Sequence, residues 1–441
     1  MYNPTMPQAK ALPIVTADQI AREVLAHQQA LAEEIKSQAA RVTDDPLRQA
    51  QLTNSFADVA GALQQSANGP RVMSTAPHAM ASVLQSFIAQ KAAESGDVDT
   101  TGDVAIVKFS DGDLLEYIKT GFLAVFEASN KYTWRTAPDD PDPLKRDNRH
   151  LRIAVFGDWG TAAYGAPVIA DSIRKDPDGF DIVLHLGDTY YSGQPNEVQK
   201  QLVEAFPYRD DALNRSLNGN HEMYSGGKAY HDAILGGRFQ QRESHFYIQN
   251  QDWTLVGLDT AYQEADMPDD EVAWLKRILD QAGDRKVVLF SHHQPFSLLD
   301  SQNPKLVNKL ETFLNARRIF AWYWGHEHRC VLYDQHPKWG VFGRCIGNGG
   351  FPYFRDTLGP VVQDLTFKHL RSDGDAPGGS ILDGPNPYIT ADPAGYGPHG
   401  YMSLVFDEGQ MREFVHRPDG VTIETKMLTA PATTSAAGAS T

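Results

Sequence analysis

Cysteine is nearly absent: the 441-residue chain has two, Cys330 and Cys345. Two cysteines build no disulfide framework. They could pair with each other, but two small buried hydrophobic side chains in a reducing compartment are the expectation. Long hydrophobic runs are missing as well. No stretch approaches the ~18 to 20 apolar residues of a membrane span. The opening MYNPTMPQAKALPIV has no basic segment leading into an apolar one, so no secretory signal is expected and a cytoplasmic location is. Positive charge is short too: Lys and Arg number 40 against 56 Asp and Glu, a net charge of −16. That balance speaks against nucleic-acid backbones and anionic membrane surfaces as partners. It leaves a small phosphate ester open as substrate, provided the positive field that receives it is local.

What is present is globular composition, 41% hydrophobic, 10% aromatic and 22% charged. A chain of this length is expected to hold more than one core. Residues 1–145 read as a mainly helical accessory domain. Leu52, Phe56, Val59 and Leu63 recur at helical spacing, as do Met80, Val83, Leu84, Phe87 and Ile88. A short strand over Ala105–Phe109 and a further helix over Asp113–Glu127 follow. No catalytic constellation occurs there. Packing or docking is the default role, and the Ala-rich stripes would suit either an internal core or an oligomer interface. The polar, Pro-rich Thr136–Asn148 marks a boundary.

Residues 149–428 differ in texture. LRIAVF, DIVLHL, WTLVGL, KVVLF and RIFAWYW alternate with helical stretches, which predicts an α/β architecture with strands buried between helical layers. Between Gly349 and Gly400 the chain is rich in Gly, Pro and Asp and reads as an irregular insertion. Strand patterns return in YMSLVFD and MREFVH, and residues 429–441 read as a disordered tail.

Each strand of that region runs into a metal-ligating type of residue. LRIAVF ends in GDWG with Asp158, and DIVLHL ends in GDTYY with Asp188. SLNGNHE brings Asn220 and His221, KVVLFSHHQP brings His292 and His293, and FAWYWGHEH brings His326 and His328. In open α/β sheets ligands bind outside the carboxyl ends of the strands. A single Gly-Asp is a common turn, and a single strand-end histidine is commonly structural. GHEH says more, since alternate residues of an extended segment point the same way and can bracket a metal. The ordered set GD, GD, GNH, HH, GHxH is specific as an ensemble.

That ensemble resembles the calcineurin-like metallophosphoesterase superfamily, over roughly Leu151–Gly350 and the late strands around Tyr401–His416. The resemblance implies a four-layer β-sandwich flanked by helices, with two metal ions. It implies that Asp188 bridges the ions, with Asp158 and His328 on the first and Asn220, His292 and His326 on the second. Hard carboxylate oxygens with imidazoles suit iron, zinc or manganese. Most branches open with Asp-x-His, but here the third position is Gly160. Tyr191, three residues after Asp188, matches the tyrosinate of the purple acid phosphatases, which pair a GDxG motif with GDxxY. The resemblance therefore implies iron in the first site and zinc, manganese or iron in the second.

Metal-assisted hydrolysis follows: the ions lower the pKa of bound water and supply hydroxide for attack on phosphorus. His221 resembles the family histidine that bonds the phosphate or protonates the leaving group. The motif set departs from the family in Leu289, which stands where a valine is usual before His292, and in having no histidine between His293 and His326. His185 reads as structural and Asp259 as supporting at most. The expected function is phosphomonoester hydrolysis. A phosphodiesterase on the same centre is the alternative, and a scaffold with a structural metal is a rival of another class.

Overall fold

In the strand Leu151–Phe156 the side chains part by parity: Leu151, Ile153 and Val155 enter one apolar cluster, Ala154 and Phe156 another. Successive side chains of a strand point to opposite faces, so a strand that is apolar throughout is buried on both. Lys286–Ser291 behaves likewise. Val288 and Phe290 share the cluster of Ile153 and Val155, while Val287 and Leu289 face a third cluster. Two sheets thus lie face to face around the shared cluster, with helices over both outer faces. The alternating texture of the sequence predicts an α/β architecture, and the family resemblance implies the four layers.

The computed structural model describes residues 132–429, except 146–148, 354, 356–358, 361, 375 and 390–392. Of the first 131 residues it describes a few, chiefly the helix Gln28–Val42 and two short strands, β1 (Val98–Asp99) and β2 (Ile106–Val107), which pair with each other. The helices expected around 52–63, 80–88 and 113–127 lie outside the described residues. Leu31 and Ile35, one turn apart on the described helix, are buried.

The smaller sheet of the sandwich contains β3 (Leu151–Phe156), β4 (Ile182–His185), β5 (Leu213–Ser216), β14 (Tyr401–Asp407), β15 (Gln410–His416) and β16 (Thr422–Leu428), in the order β16-β15-β14-β3-β4-β5. The larger contains β6 (Phe246–Gln249), β7 (Trp253–Gly257), β8 (Lys286–Ser291), β9 (Ile319–Trp324), β10 (Cys330–Gln335), β11 (Phe342–Ile346), β12 (Thr366–Leu370) and β13 (Gly379–Asp383), in the order β12-β13-β10-β11-β9-β8-β7-β6. Strands β3, β4 and β5 are parallel, with Phe156 opposite His185 and His185 opposite Ser216. Strands β8 and β9 are parallel with Ser291 opposite Trp324. Their carboxyl ends are therefore level within each sheet.

The helix Ala166–Lys175 covers the outer face of the smaller sheet with Ala166, Ile169, Ala170 and Ile173, the stripe that a 3.6-residue period places on one side. On the larger sheet, Asp269–Ala282 does the same with Trp274, Leu275, Ile278 and Leu279, and three acidic residues favour its N-terminus. A polar tie crosses the inter-sheet core. Arg344 on β11 bonds both Glu413 oxygens on β15, at 2.9 and 3.0 Å, and the Tyr323 hydroxyl donates to the same carboxylate. Cys330 and Cys345 are buried, unpaired thiols on neighbouring strands.

Two boundaries differ from the sequence reading. Residues 349–400 are not irregular throughout, since β12 and β13 pair within them and extend the larger sheet. The segment 132–142, read as the end of an accessory domain and a polar boundary, instead lies along the sandwich. Its acidic residues find arginines: Asp142 meets Arg215 at 2.8 Å and Asp139 meets Arg277 at 2.9 Å. Its aromatics stack on histidines, Tyr132 on His231 and Trp134 on His245, with ring centroids 3.6 and 4.9 Å apart. The Ala137 N–H donates to His245 Nε2 at 2.9 Å.

That packing makes the domain acid-sensitive. Burial holds both His231 and His245 down to about 3. Their folded pKa lies below the unfolded value, so the unfolded chain takes up protons first. Their contribution to stability is level above about pH 6.5 and falls as the pH drops toward 3, by roughly 2 kcal/mol per histidine at pH 5. Urea denaturation at pH 7 and pH 5 should show this loss. His245→Asn should be less stable at pH 7 yet lose less between the two pH values, and an undiminished loss would refute the assignment.

Candidate metal centre

The predicted ligands follow the level carboxyl ends of five strands, so two sheets deliver them to one place. Asp158 follows β3, Asp188 follows β4, Asn220 follows β5, His292 follows β8, and His326 and His328 follow β9. Four of these residues have positive φ: Asp158 at 53°, Asp188 at 77°, His326 at 69° and His328 at 53°. Such conformations cost non-glycine residues of order 1–3 kcal/mol and gather at functional sites. Glycines let the backbone close in. A Cβ at Gly219 would fall 2.1 Å from Asp188 Oδ1, and one at Gly325 would fall 2.6 Å from Asp158 Oδ2.

Two clusters of ligating atoms result, each spanning less than 4.8 Å: Asp158, Asp188 and His328, and His292, His293 and His326. In the first, His328 Nε2 lies 3.3 Å from Asp158 Oδ1. In the second, Asn220 Oδ1 lies 2.8 Å from His292 Nε2 and 3.0 Å from His326 Nδ1. Asp188 joins the two, its Oδ1 standing 3.3 Å from His292 Nε2.

The proton inventory shows what such clusters can hold. His292 Nδ1 is 2.9 Å from the Leu186 carbonyl, which can only accept, so the ring proton sits on Nδ1. His292 Nε2 then carries a lone pair, yet it faces two further acceptors, Asn220 Oδ1 and Asp188 Oδ1. Asn220 is oriented so because its Nδ2 donates to the Tyr224 hydroxyl at 2.7 Å. Three lone pairs converging without a proton between them are what a cation satisfies. A histidine whose other nitrogen donates to a carbonyl is the usual metal-ligand arrangement.

Burial sets the charges in the same sense. It pushes the His326 and His328 imidazoles down to about 4 and His221 below its usual range, leaving neutral rings with lone pairs. It lifts the Asp158 carboxyl well above the usual range, with Asp188 adding to the rise.

His221 lies beside the clusters, buried, with Nδ1 donating to the Tyr191 carbonyl and Nε2 3.8 Å from Asp188 Oδ2. The Tyr190 hydroxyl meets the first cluster. It lies 3.0 Å from Asp158 Oδ1, 3.1 Å from Asp188 Oδ2 and 2.8 Å from His328 Nε2. Tyr191 is buried with its ring edge-on to Phe351. Past the end of β4 the two-residue alternation no longer holds, so spacing from Asp188 could not separate the two phenols. His185 bonds Ser216 Oγ in the core at 3.1 Å, and Asp259 accepts from Asn218 and Ser244. Glu222 belongs to the site as well, although no metal-ligand motif includes it. Its carboxylate accepts from the N–H groups of Asp188 and Gly219, at 3.2 and 2.9 Å, and from the Thr189 hydroxyl at 2.8 Å. Its place three residues after Gly219 is the spacing of a capping box, which was the available signal.

Residues 151–330 match the calcineurin-like phosphoesterase family. The chain carries a calcineurin-like metallophosphoesterase domain. Part of the chain is 26% identical over 196 residues to a glycerophosphodiester phosphodiesterase of Enterobacter lignolyticus, covering 40% of this chain and 66% of that one. Among solved structures it is similar to a purple acid phosphatase from yellow lupin seeds, at 13% identity and a TM-score of 0.48, over 66% of this chain and 54% of that chain. It is also similar to GAP50, titled the anchor in the inner membrane complex of Plasmodium, at 12% identity and a TM-score of 0.47, over 64% and 89% of the two chains. The chain thus spans about half the length of the lupin protein. Among the described residues no helix is long and apolar enough to cross a membrane.

Element-resolved analysis of the protein offered iron, zinc and manganese should find about two ions per chain. Gly219→Ala should hold about one or fewer, because its methyl group would displace the Asp188 carboxylate. A full complement in this variant would show that Asp188 does not join the two clusters.

Proposed function

We propose that the protein hydrolyses phosphoric esters, monoesters in the first instance, at a dinuclear centre held by Asp158, Asp188, Asn220, His292, His326 and His328. The observation that supports this is the convergence of unprotonated oxygen and nitrogen atoms around Asp188 and Asn220. When bound, two ions there would make water nucleophilic near neutral pH and absorb charge on the phosphoryl oxygens. The chain's own residues do the rest. His221 keeps its Nδ1 proton on the Tyr191 carbonyl and turns Nε2 toward the clusters, where it can bond the phosphoryl group or pass a proton to the departing oxygen. A phenol among the donors favours iron in the first site, with zinc, manganese or a second iron in the other. Tyr190 is the phenol this geometry favours, in place of Tyr191.

A phosphodiesterase is the second reading, favoured by the 26% identical relative that is named a glycerophosphodiester phosphodiesterase. Both readings use the same ligands, and the surrounding loops decide between them.

Assays with an aryl phosphomonoester and with the corresponding bis-aryl diester separate the two. Turnover of the monoester should be the faster, and a preference for the diester would replace the first reading with the second. His221→Ala should lower kcat about 100-fold or more with its metal content unchanged. If the iron-loaded protein is coloured, Tyr190→Phe should remove the visible band and Tyr191→Phe should keep it. The opposite result would return the phenol to Tyr191.

A further inference from the structure

His293 stands beside a predicted ligand and has a ring nitrogen within the His292–His326 cluster, so it could be taken for a third imidazole on the second ion. Its surroundings speak against that. Its backbone N–H donates to the Thr260 hydroxyl oxygen at 3.0 Å, and its Nδ1 lies 3.1 Å from the same oxygen. Thr260 is fully buried, and its hydroxyl proton must go to an acceptor. Among the described residues Nδ1 of His293 is that acceptor.

A ring that accepts at Nδ1 carries its proton on Nε2. The neighbouring histidines are therefore opposite tautomers, set by opposite partners. His292 gives its Nδ1 proton to a carbonyl and keeps a lone pair on Nε2. His293 accepts a hydrogen bond from a hydroxyl at Nδ1 and presents Nε2–H. That nitrogen has no lone pair for a metal, has no hydrogen-bond partner among the described residues, and is not sealed in the core. The ring packs against His326, with centroids 4.6 Å apart, and has a nitrogen within 4.8 Å of the ligating atoms of His292 and His326, so it stands on the side of Asn220, His292 and His326.

We propose that His293 is a neutral hydrogen-bond donor to the phosphoryl oxygens of the substrate on that side, with Thr260 fixing its tautomer. The proposal rests on the hydrolase reading given above. It adds a residue that recognises substrate without holding metal.

The test is titration calorimetry with inorganic phosphate on metal-loaded protein, together with a metal count for each variant. His293→Leu should keep the metal complement of the parent chain and bind phosphate about tenfold more weakly, the loss expected for one hydrogen bond to a charged group. His293→Gln offers an amide donor and should stay within about threefold. Thr260→Val keeps the core volume but frees the tautomer, and should weaken phosphate binding with the metals retained. It serves where the leucine variant fails to fold. Loss of one ion in His293→Leu would make His293 a ligand and overturn the proposal. Unchanged phosphate affinity in both His293→Leu and Thr260→Val would overturn it as well. If the parent protein with both ions bound no phosphate, the hydrolase reading itself would fall, and this assignment with it.

Discussion

The arrangement depends on one buried carboxylate. Asp188 sits past β4 at a φ of 77°, a conformation that a non-glycine residue keeps only when its surroundings hold it. They do so from several directions. Its N–H donates to Glu222 and its carbonyl accepts from Gly160, which ties it to the ends of β5 and β3. Its Oδ1 accepts the His221 N–H at 3.1 Å and lies against His292 from the other sheet. The turn Gly219–Glu222 and Asp188 thus fix each other. The histidine and asparagine of that turn are presented to the site because the glycine before them leaves room for the carboxylate.

This lock would achieve nothing if the strand ends were not level, and levelness comes from burial on both faces. A one-residue slip of β3 would exchange Ile153 and Val155 for Ala154 and Phe156 between two apolar clusters of different shape. The register that puts Phe156 beside His185, and His185 beside Ser216, is thereby fixed by packing far from the chemistry. In the larger sheet a register shift between Val287 and Val288 serves the same end. Phe320 is taken up without a partner, and Ser291 still meets Trp324 just before His292 and His326.

The sequence was legible where chemistry and period coincide. Apolar runs that end in glycine and a ligating residue announce both a strand and what it carries, and LRIAVF, DIVLHL and RIFAWYW, which lead to Asp158, Asp188 and His326, all form strands. Legibility failed where the deciding contact lies far along the chain. TAPDDPDP looks like solvated linker until Arg215, Arg242 and Arg277 are known to stand beside its aspartates. TFKHL of β12 has too little apolar period to read as a strand, because it is a half-exposed edge that borrows its order from β13. Tyr190 and Tyr191 are both buried, and only the path of the loop brings the Tyr190 hydroxyl to Asp158.

Charge is where the whole chain and its site part company. A chain of net charge −16 repels a phosphate dianion at long range. The centre itself supplies two carboxylates and rings that burial keeps neutral, so the side chains named here offer no positive field. With protein atoms alone this would be a poor place for an anion, and a costly place for the carboxylates. Divalent or trivalent ions reverse both conditions together. They pair the buried carboxylates, use the lone pairs that neutral histidines offer, and become the largest local charge. The histidines' neutrality, which would be a defect in a protein-only anion site, is what a metal-based one requires. The burial that stacks the sheets is then also what prepares the site for its ions.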